Sequence, residues 1–154
     1  MLTVSYENLQ GLVTNALERM AFVFTEDSEL TAGEVLARAA AHSSIELRGP
    51  RSYTVTVSAT AGLIQEVASG MMGCEPDEID VDDHGRAAVS ELANVFGGEL
   101  VMQMSTEEES LLIGLPQELA DEEAGRMTDR ALKDGVTCIV SSDMGDLIVT
   151  IAND

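Results

Sequence analysis

The chain has 154 residues and a formal net charge of −20, because 28 acidic residues stand against 8 basic ones. This acidity repels nucleic-acid phosphates and anionic lipids, so we expect neither nucleic-acid nor membrane binding. Hydrophobic residues make up 45% of the chain and aromatic ones only 3%, which predicts a single domain over residues 1–154 with an aliphatic core.

An amphipathic helix is predicted near the N-terminus. Its apolar residues recur at the helical interval and are Leu9, Leu12, Val13, Ala16, Leu17, Met20 and Phe24. The next segment, residues 25–44, is ambiguous, because residues 31–41 fit either a helix or an alanine-rich loop.

Two strands and a second helix follow. Apolar and polar residues alternate across residues 45–47 and again across residues 53–58, with the turn signal Gly49-Pro50 between them. Thr60 is a suitable N-cap for a helix over residues 61–72.

A third helix is predicted after Asp82 and Asp83, whose carboxylates suit a helix N-terminus. It continues at least to Phe96, and the pattern allows it to reach Met104.

The C-terminal part of the chain predicts three more strands. The first covers residues 110–115, and the polar stretch over residues 117–135 has room for a short helix. Residues 136–142 and 147–151 then form a hairpin closed by a turn over residues 143–146. This order predicts an α+β fold with a mainly antiparallel sheet and helices packed on one side.

The third helix separates into two faces at about 100° per residue. The stripe opposite the apolar side holds Ala87, Glu91, Asn94 and Gly98. Glu91 and Asn94 project together from neighbouring turns, beside apolar Val95. Gly97 and Gly98 each cost about 1 kcal/mol relative to alanine in a helix interior. Small residues and one apolar side chain around two polar groups are typical of a surface that another protein approaches closely. Periodicity alone favours the simpler interpretation, a solvated helix face whose glycines mark a kink or an end.

The run Glu91-Leu92-Ala93-Asn94, followed by Pro116 after a short strand, resembles the signature of the CheC/CheX chemotaxis phosphatases. That signature has Asp or Ser, three residues, Glu, two residues, Asn, and then a Pro after a gap close to the 21 residues found here. The predicted order of elements is also similar to that of CheX, and the similarity covers most of the chain.

Two departures from the family pattern stand out. Ala87 occupies the position of the Asp or Ser, so a supporting polar contact is missing. In the first helix, Glu18 is followed three residues later by Ala21 instead of Asn. CheC resembles a duplicated protein with two such sites, whereas this chain has the pattern of one, as CheX does.

The resemblance implies a phosphatase that dephosphorylates a CheY-like response regulator. Asn94 would hold a water in line with the phosphorus, and Glu91 would pair with the active-site lysine of the receiver domain. The chain would need no cofactor or metal of its own, because the receiver brings Mg²⁺. The resemblance also implies a homodimer joined through the sheet. The expected partner contacts are Ala87, Val95 and Gly98.

Two other interpretations stay open. Positions 1, 3, 5, 6 and 12 of a calcium-binding EF-hand loop, residues 80–91, would be Asp80, Asp82, His84, Gly85 and Glu91. His84 is a poor calcium ligand, and Pro76 interrupts the entering helix. CheC-like domains also occur in flagellar switch proteins as non-catalytic interaction modules, and Ala87 leaves that function open.

The remaining candidate residues predict no chemistry. His42 and His84 lack the spacing of zinc ligands and are expected at the surface, while Met71 and Met72 are expected to fill the core. The two cysteines form no metal or redox motif, and the N-terminal residues show no secretory signal. We therefore expect a cytoplasmic protein.

Overall fold

The structure is a computed structural model that describes residues 4–154, so residues 1–3 of the predicted domain lie outside it. Its helices are α1 (Tyr6–Ala21), α2 (Ala32–Arg38), α3 (Ala61–Met72), α4 (Arg86–Met104) and α5 (Asp121–Asp134). Its strands are β1 (Glu26–Asp27), β2 (Ala39–Arg48), β3 (Tyr53–Thr60), β4 (Leu112–Ile113), β5 (Gln117–Glu118), β6 (Val136–Ser141) and β7 (Asp146–Asn153). A 3₁₀ turn at Pro76–Glu78 and a π-helical turn at Val81–Gly85 precede α4.

The strands form one antiparallel sheet of seven strands in the order β1-β6-β7-β3-β2-β4, with β5 also pairing with β2. The predicted C-terminal hairpin is confirmed, since β6 pairs with β7 from Val136↔Ile151 to Ser141↔Asp146. The predicted α+β fold with a mainly antiparallel sheet is therefore confirmed as well.

The main core lies between one face of this sheet and helices α1, α3 and α4. The strands contribute branched aliphatic residues such as Val55, Val57 and Val149, which are fully buried. The helices contribute Leu17 and Phe96, which are equally inaccessible to solvent. Each such side chain stabilises the fold by about 1.5–3 kcal/mol when it leaves water, so this layer holds α4 firmly against the sheet.

A second, thinner layer covers the other face. The strand register places Ile148 directly opposite Ser58 and Ser58 opposite His42, so these side chains share one side of the sheet. Val35 of α2 packs against Ile148, and Asp121 of α5 hydrogen-bonds to His42. The prediction of helices on one side thus describes α1, α3 and α4, while α2 and α5 lie in the two segments whose structure the sequence left open.

Two local predictions are wrong. Phe24 does not extend the first helix, because Phe22 adopts a left-handed conformation with φ 57° and ends the helix, and Phe24 is 70% exposed. The strand predicted over residues 110–115 shrinks to the two residues of β4. Its pairing stops where the Gly114 N–H donates to the Glu46 carbonyl and Pro116, which has no N–H, follows.

Within residues 4–154, no helix combines the length and the apolar character needed to cross a lipid bilayer.

Candidate functional site

Helix α4 carries the predicted site and starts directly from the π-helical turn. The Asp80 side chain caps that turn by accepting a hydrogen bond from the Asp82 N–H. The helix then runs 19 residues to Met104, so the predicted helix is confirmed to its longer limit.

The inner side of α4 packs against the sheet and the neighbouring helices. Its buried residues are Ala88, Val89, Leu92, Ala93, Phe96, Gly97, Leu100 and Met104. Because these positions occupy one side of the helix, the side chains about 180° away must point to solvent.

The two adjacent glycines of α4 play different roles. Gly97 is buried, and a Cβ atom there would lie 2.9 Å from Ile45 Cγ2 and 3.3 Å from Ile113 Cδ1. Gly98 is half-buried, and the nearest atom to a Cβ there would be Ile113 Cδ1 at 4.0 Å. Gly97 is therefore needed for the close approach of helix and sheet, whereas no packing contact within residues 4–154 requires Gly98.

The outer stripe of α4 presents the polar pair to solvent. Ala87, Glu91 and Asn94 are all exposed. Glu91 and Asn94 are three residues apart, which places their Cβ atoms about 5–6 Å from each other on adjacent turns. Among residues 4–154, no ion pair engages Glu91, and the carboxylate faces solvent. The structure thus brings together the two side chains that the sequence singled out.

Val95 lies beside Glu91, four residues further along the helix, as the sequence predicts. It is half-buried and packs against the main core, however, instead of being fully exposed. Only part of its side chain is accessible to a partner.

A surface groove of about 360 Å³ opens next to Glu91, between α3 and the first half of α4. Its lining consists of Ala68, Met71, Met72, His84, Ala87, Ala88 and Glu91. Met71 is 37% and Met72 56% exposed, so the prediction that they fill the core is wrong. They follow the last buried turn of α3, and the helix is ended by Gly73, which adopts a left-handed conformation with φ 72°. Helical periodicity could not reveal this, since the groove depends on how α3 and α4 meet.

The calcium interpretation finds no support in the geometry. Residues 81–85 already form a helical turn continuous with α4, so the open loop that an EF-hand requires is absent from this segment. The His84 ring is directed back to the start of this segment, because its Nδ1 accepts a hydrogen bond from the Asp80 N–H at 3.2 Å. In the described part of the chain, no three His, Cys, Asp or Glu side chains converge as metal ligands.

The other predicted positions lie away from the pair. His42 is buried, which contradicts its expected surface position: Nδ1 lies 2.7 Å from Ser58 Oγ and Nε2 lies 2.7 Å from Asp121 Oδ1. On α1, Glu18 is exposed but Ala21 is buried, so no second polar pair forms there.

Comparison with protein families identifies the relatives of this chain. A family model described as chemotaxis phosphatase CheX matches residues 42–141. The chain belongs to the CheX family. The matched CheX segment contains all of α4, including Glu91 and Asn94, and ends with β6. No curated protein sequence matches the chain.

Solved structures share the fold of this CheX-family chain at low sequence identity. The chemotaxis protein CheX from Vibrio vulnificus has a TM-score of 0.71 at 16% identity, with 100% of this chain and 99% of that one covered. A CheC-like superfamily protein from Shewanella has a TM-score of 0.71 at 19% identity, with 99% of each chain covered. The CheX-CheY-BeF3-Mg+2 complex from Borrelia burgdorferi gives a TM-score of 0.65 at 17% identity, with 97% of this chain and 98% of that one covered.

Proposed function

We propose that this chain is a phosphatase that accelerates hydrolysis of the aspartyl phosphate on a CheY-like response regulator, in chemotaxis or a related two-component pathway. The observation that carries the proposal is the exposed pair Glu91 and Asn94, one helical turn apart on a helix that packs against the sheet. Their side chains face away from the protein, so they can enter a pocket only on another molecule. Membership of the CheX family supports a phosphorylated receiver as that molecule.

Asn94 is proposed to position the attacking water. The water oxygen attacks the phosphorus, the bond between phosphorus and the aspartyl oxygen breaks, and the free carboxylate leaves. Both water protons stay on the released dihydrogen phosphate. A carboxamide suits this task because its oxygen accepts a hydrogen bond from water, its N–H groups donate to phosphoryl oxygens, and it stays neutral beside the anionic phosphate. Orientation of one water can accelerate the reaction greatly, since phosphoryl transfer depends mainly on positioning and charge neutralisation.

Glu91 is proposed to fix the orientation of the two proteins. Its carboxylate lies one turn before Asn94, so pairing with a receiver lysine sets the depth and direction at which Asn94 enters the phosphate pocket. The receiver supplies the Mg²⁺ that neutralises the phosphoryl charge. The Borrelia burgdorferi complex, which contains CheX, CheY, BeF3 and Mg²⁺, supports this division of labour.

The test uses a panel of phosphorylated CheY-like receivers from the same genome. Each receiver is labelled on its aspartate, and phosphate loss is followed with and without the wild-type protein. We expect faster loss for at least one receiver, and a lower rate with Glu91→Gln. Glu108→Gln, which removes an exposed carboxylate from the loop after α4, is the matched control and should keep the wild-type rate.

Two outcomes contradict the proposal. A protein that leaves every receiver at its own rate and binds none of them is not a receiver phosphatase. Binding of a phosphorylated receiver without acceleration identifies a non-catalytic interaction module instead.

The homodimer remains a prediction of this family membership. The two outer strands of the sheet path, β1 and β4, have two residues each, so a joined sheet would use backbone groups of longer neighbouring strands as well. Light scattering at several protein concentrations measures the mass in solution.

A further inference from the structure

We propose that the groove between α3 and α4 selects the receiver, by holding an apolar side chain that lies next to the lysine paired with Glu91. This inference rests on the proposed phosphatase function and extends it to partner choice. This α3–α4 groove has a volume of about 360 Å³, and its lining includes Met71, Met72, Ala87 and Glu91.

The α3–α4 groove is continuous with the proposed catalytic stripe. Ala87 and Glu91 belong both to the exposed stripe of α4 and to the groove wall. A protein that inserts its phosphate pocket around Asn94 must therefore cover the groove with the rim of that pocket, since Asn94 is only one turn from Glu91. The occupant of the groove is then part of the receiver itself.

The chemistry of the groove wall specifies what this part of the receiver carries. Met71 and Met72 expose thioether side chains, which adapt to irregular apolar partners. In a chain with 28 acidic residues, Glu91 is the one carboxylate of this wall. No ion pair within residues 4–154 neutralises it. The complementary surface is a positive charge with an apolar side chain beside it.

Ala87 extends the apolar lining of the groove onto the exposed stripe of α4. The family signature has Asp or Ser at this position, whereas this chain presents a methyl group that continues the surface formed by Met71 and Met72. The departure from the signature thus replaces a polar contact by an apolar one. A receiver with an apolar residue at that contact gains from the change, and a receiver with a polar residue there loses a hydrogen bond.

The experiment measures KM and kcat for dephosphorylation of the receiver that the wild-type protein serves best. Met72→Gln keeps the length and helix propensity of the side chain but makes it polar, and the expected result is a KM raised about tenfold with kcat unchanged. Ala87→Asp restores the family residue and is expected to raise KM in the same way. The matched control is Met144→Gln. Met144 is 43% exposed and lies in the β6–β7 turn beside Gly62, at the opposite end of α3.

Direct binding separates this inference from the proposed function. The same variants are titrated against the receiver activated with beryllofluoride, which mimics the phosphoryl group. Weaker binding by Met72→Gln but not by Met144→Gln supports docking in the groove. This conclusion holds even if the wild-type protein binds the receiver without accelerating hydrolysis. That second result would overturn the phosphatase proposal alone. An active protein whose KM is equal for wild type, Met72→Gln and Met144→Gln overturns the groove inference alone. A protein that binds no receiver of the panel overturns both.

Discussion

Alanine substitutions at the neighbouring glycines 97 and 98 are expected to differ in their effect on stability: Gly98→Ala should stabilise the protein, and Gly97→Ala should not. Both replacements add the same methyl group to the interior of α4, and both gain the helix propensity of alanine over glycine, about 1 kcal/mol. They differ only in what the methyl meets. At Gly98 it makes an ordinary contact with Ile113 Cδ1 at 4.0 Å, whereas at Gly97 it lies 2.9 Å from Ile45 Cγ2.

The size of the difference follows from the packing. Ile45 is 1% exposed in a strand paired on both sides, so its Cγ2 methyl cannot move aside without shifting the sheet. Overpacking of this kind costs about 1–3 kcal/mol. Gly98→Ala is therefore expected to stabilise the protein by about 1 kcal/mol, and Gly97→Ala to range from neutral to about 2 kcal/mol less stable than wild type.

Thermal and urea unfolding of both variants measure these values. For a chain of this length, 1 kcal/mol shifts Tm by about 2–4 °C, so Gly98→Ala should melt higher than wild type and Gly97→Ala no higher. The helix-propensity gain cancels in the difference between the variants, which isolates the overpacking cost. Equal stabilisation by both substitutions would refute the close approach of α4 to β2.

The remaining predictions concern function and ionisation. The stabilised Gly98→Ala variant is expected to show a raised KM for its receiver, because the added methyl lies on the partner-facing stripe; unchanged kinetics would remove Gly98 from the contact surface. Burial, and then the charge of Asp27, raise the pKa of the Cys138 thiol to about 12, so alkylation of the native protein should label Cys74 and reach Cys138 only on unfolding, as read by mass spectrometry. The hydrogen bonds of the Thr31–Glu34 capping box lower the pKa of Glu34. The contribution of the ionised Glu34 to folding stability is therefore present above the ordinary glutamate pKa and is lost as pH falls through the lowered pKa. The Tm difference between wild type and Glu34→Gln should shrink in acid, and a difference that stays constant would contradict the capping contribution.

The elements that the sequence predicted well are those whose periodicity reports a single buried face. Helix α4 and the β6–β7 hairpin have this property, and the structure confirms both. The same periodicity located Glu91 and Asn94 on the outward stripe, because the inward residues of α4 leave only one side for polar groups. Thr60 stands at the N-cap of α3 as predicted. Its hydroxyl, however, accepts from the Asp146 N–H instead of capping the helix.

Other features depend on contacts between distant parts of the chain. The sequence gives no sign that His42 is buried, since its partners Ser58 and Asp121 come from another strand and from α5. The exposure of Met71 and Met72 is equally hidden, because it depends on the gap between α3 and α4. In each case tertiary packing decides whether the side chain is buried or exposed, and the neighbouring residues in the sequence favour neither outcome.

The calcium-like spacing of residues 80–91 is a sequence pattern that suggests a site the structure does not form. Four residues between positions 80 and 91, namely Asp80, Asp82, Gly85 and Glu91, match an EF-hand in type and order, yet the segment is helical from residue 81. A ligand pattern specifies a metal site only when the backbone forms the loop that makes the ligands converge.

The most direct test of the proposed mechanism is the single-turnover rate at saturating protein. The labelled receiver is mixed with excess wild type, Asn94→Ala or Asn8→Ala, the last being an exposed asparagine of α1 that serves as the matched control. Saturation removes differences in binding, so the rate reports only the hydrolysis step. The proposed mechanism predicts that Asn94→Ala binds the beryllofluoride-activated receiver but hydrolyses its phosphate only at the receiver's own rate, about 10²-fold below wild type or more, while Asn8→Ala matches wild type. A wild-type rate from Asn94→Ala would contradict it.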